Sequence, residues 1–265
     1  MDCHKPTAFV LEVPPRNEPK RSAPVAWLLV ERHIDFRHDA QGTLLDASIC
    51  VSCQPITDRY SRNDCSKNHF HGGYTCAFNG MVSITANSLT TGGHVVLENT
   101  GLQGHRIGTF LMNEIVQWVQ QWPNAIVKTV SLHSDQAHGN NKERRNRFYE
   151  QLGLEFDYDD AEHKQGCSRP MLAKQLKRVE TWKENITVHS MPAYLANVLH
   201  EKERNSLVLM QRNRAVKDLI NEQRAAEAKP IRWALGTLYS RYQTQVVGSI
   251  FLAILAAAAW SRFHT

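Results

Sequence analysis

Residues 94–123, HVVLENTGLQGHRIGTFLMNEIVQWVQQWP, decide the fold. The apolar run His94–Glu98, launched from Gly92-Gly93, predicts a buried strand. From Gly108 to Trp122 the positions Phe110, Leu111, Ile115, Trp118, Val119 and Trp122 recur at three- and four-residue intervals, and Pro123 closes the run. This is the pattern of an amphipathic helix. Between strand and helix lie Asn99-Thr100-Gly101-Leu102 and then Gln103-Gly104-His105-Arg106-Ile107-Gly108-Thr109. A glycine-containing turn there aims successive backbone N–H groups and the positive end of a helix at one point, which suits a pyrophosphate. No Gly-Lys-Ser/Thr follows and no Gly-x-Gly-x-x-Gly is present, so neither a nucleotide P-loop nor a dinucleotide fingerprint accounts for it.

Outward from this unit, Ala125–Leu132 predicts a second buried strand, residues 133–140 a polar loop, and Asn141–Leu152 a short, highly charged helix that Gly153 can end in the left-handed conformation. Leu154–Tyr158 returns as strand. On the N-terminal side, Leu45, Ala47, Ile49 and Val51 alternate with polar residues, and Tyr74–Phe78 and Met81–Ile84 flank Asn79-Gly80 as a hairpin would. The first hundred residues therefore read as mostly sheet. Residues 1–24 are polar and Pro-rich and predict a flexible leader into a first strand at Val25–Val30.

Two of these segments resemble signatures of the GNAT acetyltransferase superfamily. Gln103 to Gly108 is similar to its pyrophosphate turn, Gln/Arg-x-x-Gly-x-Gly/Ala, and Arg147-Phe148-Tyr149-Glu150-Gln151-Leu152-Gly153-Leu154 to its helix-to-strand junction, in the same order and at a similar spacing. Arg106 stands where the first motif has its central glycine, and Asn141 lies one place ahead of the usual asparagine, whose register falls on Lys142. The resemblance implies an α/β fold of the α+β type, a mixed, strongly twisted central sheet flanked by helices, over residues 25–175. It implies acetyl-CoA as acyl donor, held in a cleft where two parallel strands, here His94–Glu98 and Ala125–Leu132, splay apart. Leu97, Gln103, Gly104, His105, Arg106, Ile107, Gly108, Thr109 and Asn141 are the cofactor-binding candidates, with a backbone N–H near Leu97 or Glu98 polarising the thioester. Transfer to an amine needs a base and an acid for the departing thiolate. Glu98, at the end of the first splayed strand, is the candidate base and Tyr149 the candidate acid, with His105, His133, Asp135 and His138 in reserve. The expected activity is direct N-acetyl transfer to an unidentified amine, on a small molecule or a protein. The alternative is a GNAT-like module that binds or assembles without catalysis.

Composition narrows the classes further. The chain has 265 residues, 42% hydrophobic and 22% charged, which excludes a disordered tail or a disulfide mini-protein. Its net charge of +5 lies wholly in residues 174–232, where 12 Lys/Arg face 7 Asp/Glu, so the rest is neutral and nucleic acid is a poor partner. No Gly-x-Ser-x-Gly elbow points to a hydrolase. The six cysteines are too sparse for a disulfide scaffold. Cys50-x-x-Cys53, followed by Cys65, His69, His71 and Cys76, contains zinc-ligand types, but a strand would point Cys50 and Cys53 to opposite faces, so no metal is expected.

Beyond the sheet region, Ser190-Met191-Pro192 predicts a helix start, and an apolar stripe from Leu195 to Ile220 continues to Pro230. Residues 176–232 thus read as a basic helical stalk, with self-association through it a natural consequence. Val246–Trp260 (VVGSIFLAILAAAAW) is uncharged and almost wholly apolar. At about 1.5 Å per residue it is shorter than a bilayer core of about 30 Å, so a hydrophobic tail helix over 244–263 is needed for a single-pass membrane anchor. That anchor would hold the bulk of the protein on the cytoplasmic side, its basic stalk facing anionic lipid. A soluble cytoplasmic protein is the other possibility.

Overall fold

The computed structural model describes residues 7–15, 24–56, 68–88, 102–139 and 141–263. It divides into two compact units, residues 1–195 and 196–265. The first is mixed α/β and carries a seven-stranded sheet in the order β10-β1-β2-β3-β4-β5-β6. The strands are β1 (Thr7–Val13), β2 (Ala26–His38), β3 (Leu44–Pro55), β4 (Asn68–Thr75), β5 (Met81–Ser83), β6 (Ile126–Val127) and β10 (Thr187–Ser190). A second, three-stranded sheet joins β7 (Ser131–Leu132), β8 (Phe156–Tyr158) and β9 (Gly166–Ser168) in the order β7-β9-β8.

The alternation in β3 does what its sequence predicts: Ala47, Ile49, Val51 and Cys53 are buried on one face. Against that face lies helix α1 (Ile107–Val119), which buries Leu111, Met112, Ile115, Val116 and Val119. Gly72 permits the close approach, because a Cβ there would lie 2.8 Å from Ile115 Cγ2 and 2.9 Å from Ile49 Cγ2. A salt bridge from Arg32 of β2 to Glu114 of α1, 3.0 Å long, fixes the helix along the sheet. Tyr74 stacks on Trp122 with ring centroids 4.1 Å apart, closing the C-terminal end of the same interface. The hairpin around Asn79-Gly80 forms with both residues at positive φ, 64° and 88°.

Six strands of the larger sheet pair antiparallel in succession, and only β5 and β6 pair in parallel, Met81 with Ile126 and Val82 with Val127. The parallel partner of Ile126–Val127 among the described residues is therefore in Met81–Ser83; the expected partner His94–Glu98 lies outside the described residues. The pairing is short for a physical reason. Lys128 N donates to Val82 O at 2.7 Å, but Val130 N already donates to the Ser168 hydroxyl of β9. The predicted strand Ala125–Leu132 is thus two strands in two sheets. On the other side, Ser83 Oγ accepts the N–H of Ala86 at 3.1 Å, in the turn that ends β5.

Helix α2 (Asn141–Glu150) precedes Gly153, which takes φ 89° as expected of a helix-terminating glycine. It is held by its own cations: the buried Arg145 guanidinium donates to His133 O at 2.7 Å and Lys164 O at 2.8 Å, and Asn146 Nδ2 to His163 O. Burial pushes the Arg145 pKa down from the usual arginine range. The stretch 142–147 is accordingly part structural clamp and part solvated face.

Two boundaries differ from the sequence reading. Thr7–Val13, inside the expected leader, is an ordered strand whose Val10, Leu11 and Val13 are buried between β2 and β10. Residues 176–190, expected at the base of the stalk, belong to the first unit, because β10 completes the sheet edge. Helix α3 (Met191–Ala228) follows β10, and α4 (Pro230–Phe263) follows Lys229. No described residue of α3 is buried. Among the described residues no helix is long and apolar enough to cross a membrane. Within the expected anchor at 244–263, the side chains of Thr244, Val246, Ile250, Phe251, Leu255 to Ala259 and Ser261 to Phe263 lie outside the described residues.

Candidate functional site

The best-developed feature of the first unit is the entry to α1. Buried Leu102 anchors the turn, and His105 N donates to Leu102 O at 3.4 Å. Gly104 takes φ 83°, where glycine carries no steric penalty. Arg106 is the helix N-cap in the left-handed conformation, φ 63° and ψ 16°. A side chain in that region costs roughly 1–2 kcal/mol, so contacts must hold it there. They are visible: the guanidinium donates to Thr181 O and forms an ion pair with Glu184 Oε2 at 2.5 Å. A left-handed conformation is thus held here by an arginine whose charge is turned onto the segment 181–184.

Beyond Arg106, Ile107 is buried and Gly108 and Thr109 are half-buried, the first positions of a helix whose opening N–H groups lack intrahelical acceptors. Phe110 N, donating to Arg106 O at 3.0 Å, begins the helical ladder. Gln103 and Gly104 are exposed in front of this N-terminus, and His105 Nδ1 is buried with no hydrogen-bond partner among the described residues.

Asn141, at the start of α2, is brought to the same place. Its Nδ2 donates to Gln136 O at 2.6 Å, and its Oδ1 accepts from Arg144 Nη2 at 2.7 Å. Arg144 Nη1 in turn donates to Gln103 Oε1 at 3.1 Å. One exposed guanidinium thus couples the α1 turn to the α2 N-terminus. In the sequence Arg144 is visible only as one charge of the highly charged segment Asn141–Leu152. The usable signal was its place three residues after Asn141, which puts both side chains on one helix face.

Tyr149 is 8% exposed and packs edge-on to Phe148, with Phe156 on a neighbouring strand. Burial pushes its phenol up to about 12, against an opposing pull from Arg145. It therefore holds its proton at neutral pH, the state an acid must start from. His133, Asp135 and His138 lie exposed on the loop before α2, Asp135 in a short 3₁₀ turn. Glu98 and Leu97 lie outside the described residues. A separate open hollow of about 400 Å³ runs between α2 and the turn joining β8 to β9, lined by Lys142, Asn146, Arg147, Glu150, Glu162 and His163. None of the α1-turn residues lines it.

No family profile and no curated protein matches this chain. A solved structure with some similarity is a domain from Methanocaldococcus jannaschii DSM 2661, at 11% identity and a TM-score of 0.26. The match covers 48% of this chain and 66% of that one, just under two thirds of its length.

Proposed function

We propose that the chain is a GNAT-like, acyl-CoA-dependent N-acetyltransferase that passes acetyl directly from acetyl-CoA to an amine. The observation that carries this reading is the position of the Gln103–Thr109 turn: it opens the crossover helix between two parallel strands, β5 and β6, whose pairing ends after two residues. A helix N-terminus facing such a gap supplies fixed positive partial charge for a pyrophosphate without needing a lysine. Arg144, bridging Gln103 and Asn141, adds a guanidinium that can fork onto phosphate oxygens.

In this mechanism the amides of the α1 turn hold and orient the donor, and the amine attacks the thioester carbon. The N–C bond forms as the C–S bond breaks. Glu98 takes the proton released by the amine, and Tyr149 returns one to the departing thiolate. A non-catalytic, membrane-tethered binding or assembly module is the second reading, and a specific observation favours it: Arg106 is committed to Glu184 and Thr181, so the position where the motif has its central glycine serves the fold and not an acyl donor. The apolar run carried by α4 is proposed as a tail anchor, with the first unit on the cytoplasmic side.

The test is acetyl-CoA binding to the full chain by calorimetry, with Gly108→Glu as control. Gly108 is in the first turn of α1, so a carboxylate there repels phosphate while leaving the helix intact. Saturable binding lost in Gly108→Glu supports the site. Equal affinity in both proteins, or none in the folded wild type, removes it. Acetyl-CoA hydrolysis or transfer to a panel of amines, lost in Tyr149→Phe, then separates enzyme from binding module.

A further inference from the structure

The face of the sheet turned away from α1 carries a second cluster of chemistry. Strand alternation that buries Ile49, Val51 and Cys53 beneath α1 sends Cys50 to the opposite face, and the register sets His71 of β4 directly across from it. His69, two residues before His71, lies on that same face. The result is a compact group: the ligand atoms of Cys50, His69 and His71 all lie within 4.8 Å of one another. Cys50 Sγ is 3.6 Å from His69 Nδ1, and the two imidazoles stack with centroids 6.0 Å apart at 15°. His71 Nδ1 is buried with no hydrogen-bond partner among the described residues.

From this arrangement we propose that Cys50, His69 and His71 form a binding site for a zinc-type divalent transition ion. The donor set is one thiolate and two imidazoles, borderline-soft ligands that select zinc or its chemical relatives over calcium or magnesium, which require oxygen. The spacing fits. A tetrahedral ion with bonds of about 2.3 Å to sulfur and about 2.0 Å to nitrogen holds those two atoms about 3.5 Å apart, and the Cys50–His69 separation is 3.6 Å. Two adjacent strands in fixed register supply all three donors, so closing them from within 4.8 Å of one another calls for side-chain rotation and no backbone movement. On binding, the Cys50 S–H bond breaks, its proton passes to solvent, and the sulfur lone pair forms the metal bond. Three protein donors leave the fourth position to water. Across the sheet, His33 pairs in register with Cys50, and its Nε2 lies 3.0 Å from Asp35 Oδ1, a polar rim for the site. Cys53 has no part in it: it is fully buried on the α1 side. The pairing that matters is therefore Cys50 with the histidines of β4, and not the Cys-x-x-Cys spacing.

The site is independent of acetyl transfer and is tested without it. Cobalt(II) is titrated into the metal-free full chain, following the visible bands of tetrahedral cobalt and the near-ultraviolet thiolate-to-cobalt charge transfer. One equivalent bound with both features, displaced by zinc, is the expected result. Cys50→Ser should abolish the charge-transfer band, and His69→Ala, at an exposed position, should weaken binding by about 100-fold or more. Cys76→Ser, at another exposed thiol, should change nothing. Absence of a tetrahedral spectrum in the wild type overturns the proposal, as does a charge-transfer band that survives Cys50→Ser. Far-ultraviolet circular dichroism of each variant verifies that the sheet is intact.

Discussion

The two units of this chain use apolar residues in opposite ways. In the first, a mixed sheet closes on α1 and buries Leu11, Leu28, Ile49, Phe70, Leu111 and Ile115 almost completely. In the second, α3 repeats apolar residues over 38 positions, yet Leu199, Leu209, Val216 and Leu219 are all more than half exposed. The local propensity for helix is sufficient in both. What differs is that α1 meets the apolar face of the sheet, whereas no described residue of α3 is buried. Periodicity specifies a face, and a core requires something for that face to meet.

The sharpest way to break this comparison is a matched pair of truncations. Leu111→Ala, in the α1 core, should cost about 2–5 kcal/mol in urea unfolding. Leu209→Ala, in α3, should change stability by no more than about 0.5 kcal/mol. A loss at Leu209 that depends on protein concentration would mean that the α3 stripe is covered by a second copy, and a comparable loss that does not would mean that it is covered within one chain.

The next effect is alkaline. Burial raises Tyr149 to about 12 and Cys53 to about 12, above their ordinary values of 10 and 9. In both cases the unfolded chain releases its proton first, so stability is fully present below about pH 9 and falls as pH rises toward 12. For Tyr149 alone the shift corresponds to roughly 2–3 kcal/mol at the end of that window. Tyr149→Phe should flatten the pH 10–12 part of the profile and Cys53→Ala should delay its onset. A profile identical in wild type and Tyr149→Phe would contradict the buried, protonated phenol.

The smallest expected change in folding stability comes from removing the second helix of the tail. A chain ending at Lys229 should keep the unfolding free energy of the first unit within about 0.5 kcal/mol of the full chain, and, as the proposed tail anchor requires, it should leave the membrane fraction on cell fractionation. Retention with membranes would remove the tail anchor, while a large loss of stability would show that the two units support one another.

Much of the fold was legible because its signals are local. The β3 alternation, the Asn79-Gly80 hairpin, the α1 stripe closed by Pro123, the left-handed Gly153 and the Met191 helix start all follow from neighbouring residues. The elements that were not legible depend on distant partners. Thr7–Val13 sits in a Pro-rich stretch and is a strand because β2 and β10 flank it. Thr187–Ser190 has one strongly apolar residue and pairs only because β1 offers an edge. Met81–Ser83 is three residues long, too short for periodicity to mark it as the parallel neighbour of β6.

The candidate sites divide along the same line. By itself the sequence determined the glycine-bearing entry to α1, the residue types at its N-terminus and the opposite facing of Cys50 and Cys53, since backbone geometry and side-chain period are properties of adjacent residues. Only the tertiary structure decided that Arg144 joins Gln103 to Asn141, that Arg106 turns to Glu184 across 78 residues, and that Cys50 meets two histidines of the next strand. Those contacts are set by strand register and helix docking, and both are consequences of burying surface across the whole unit, to which no single segment holds the information.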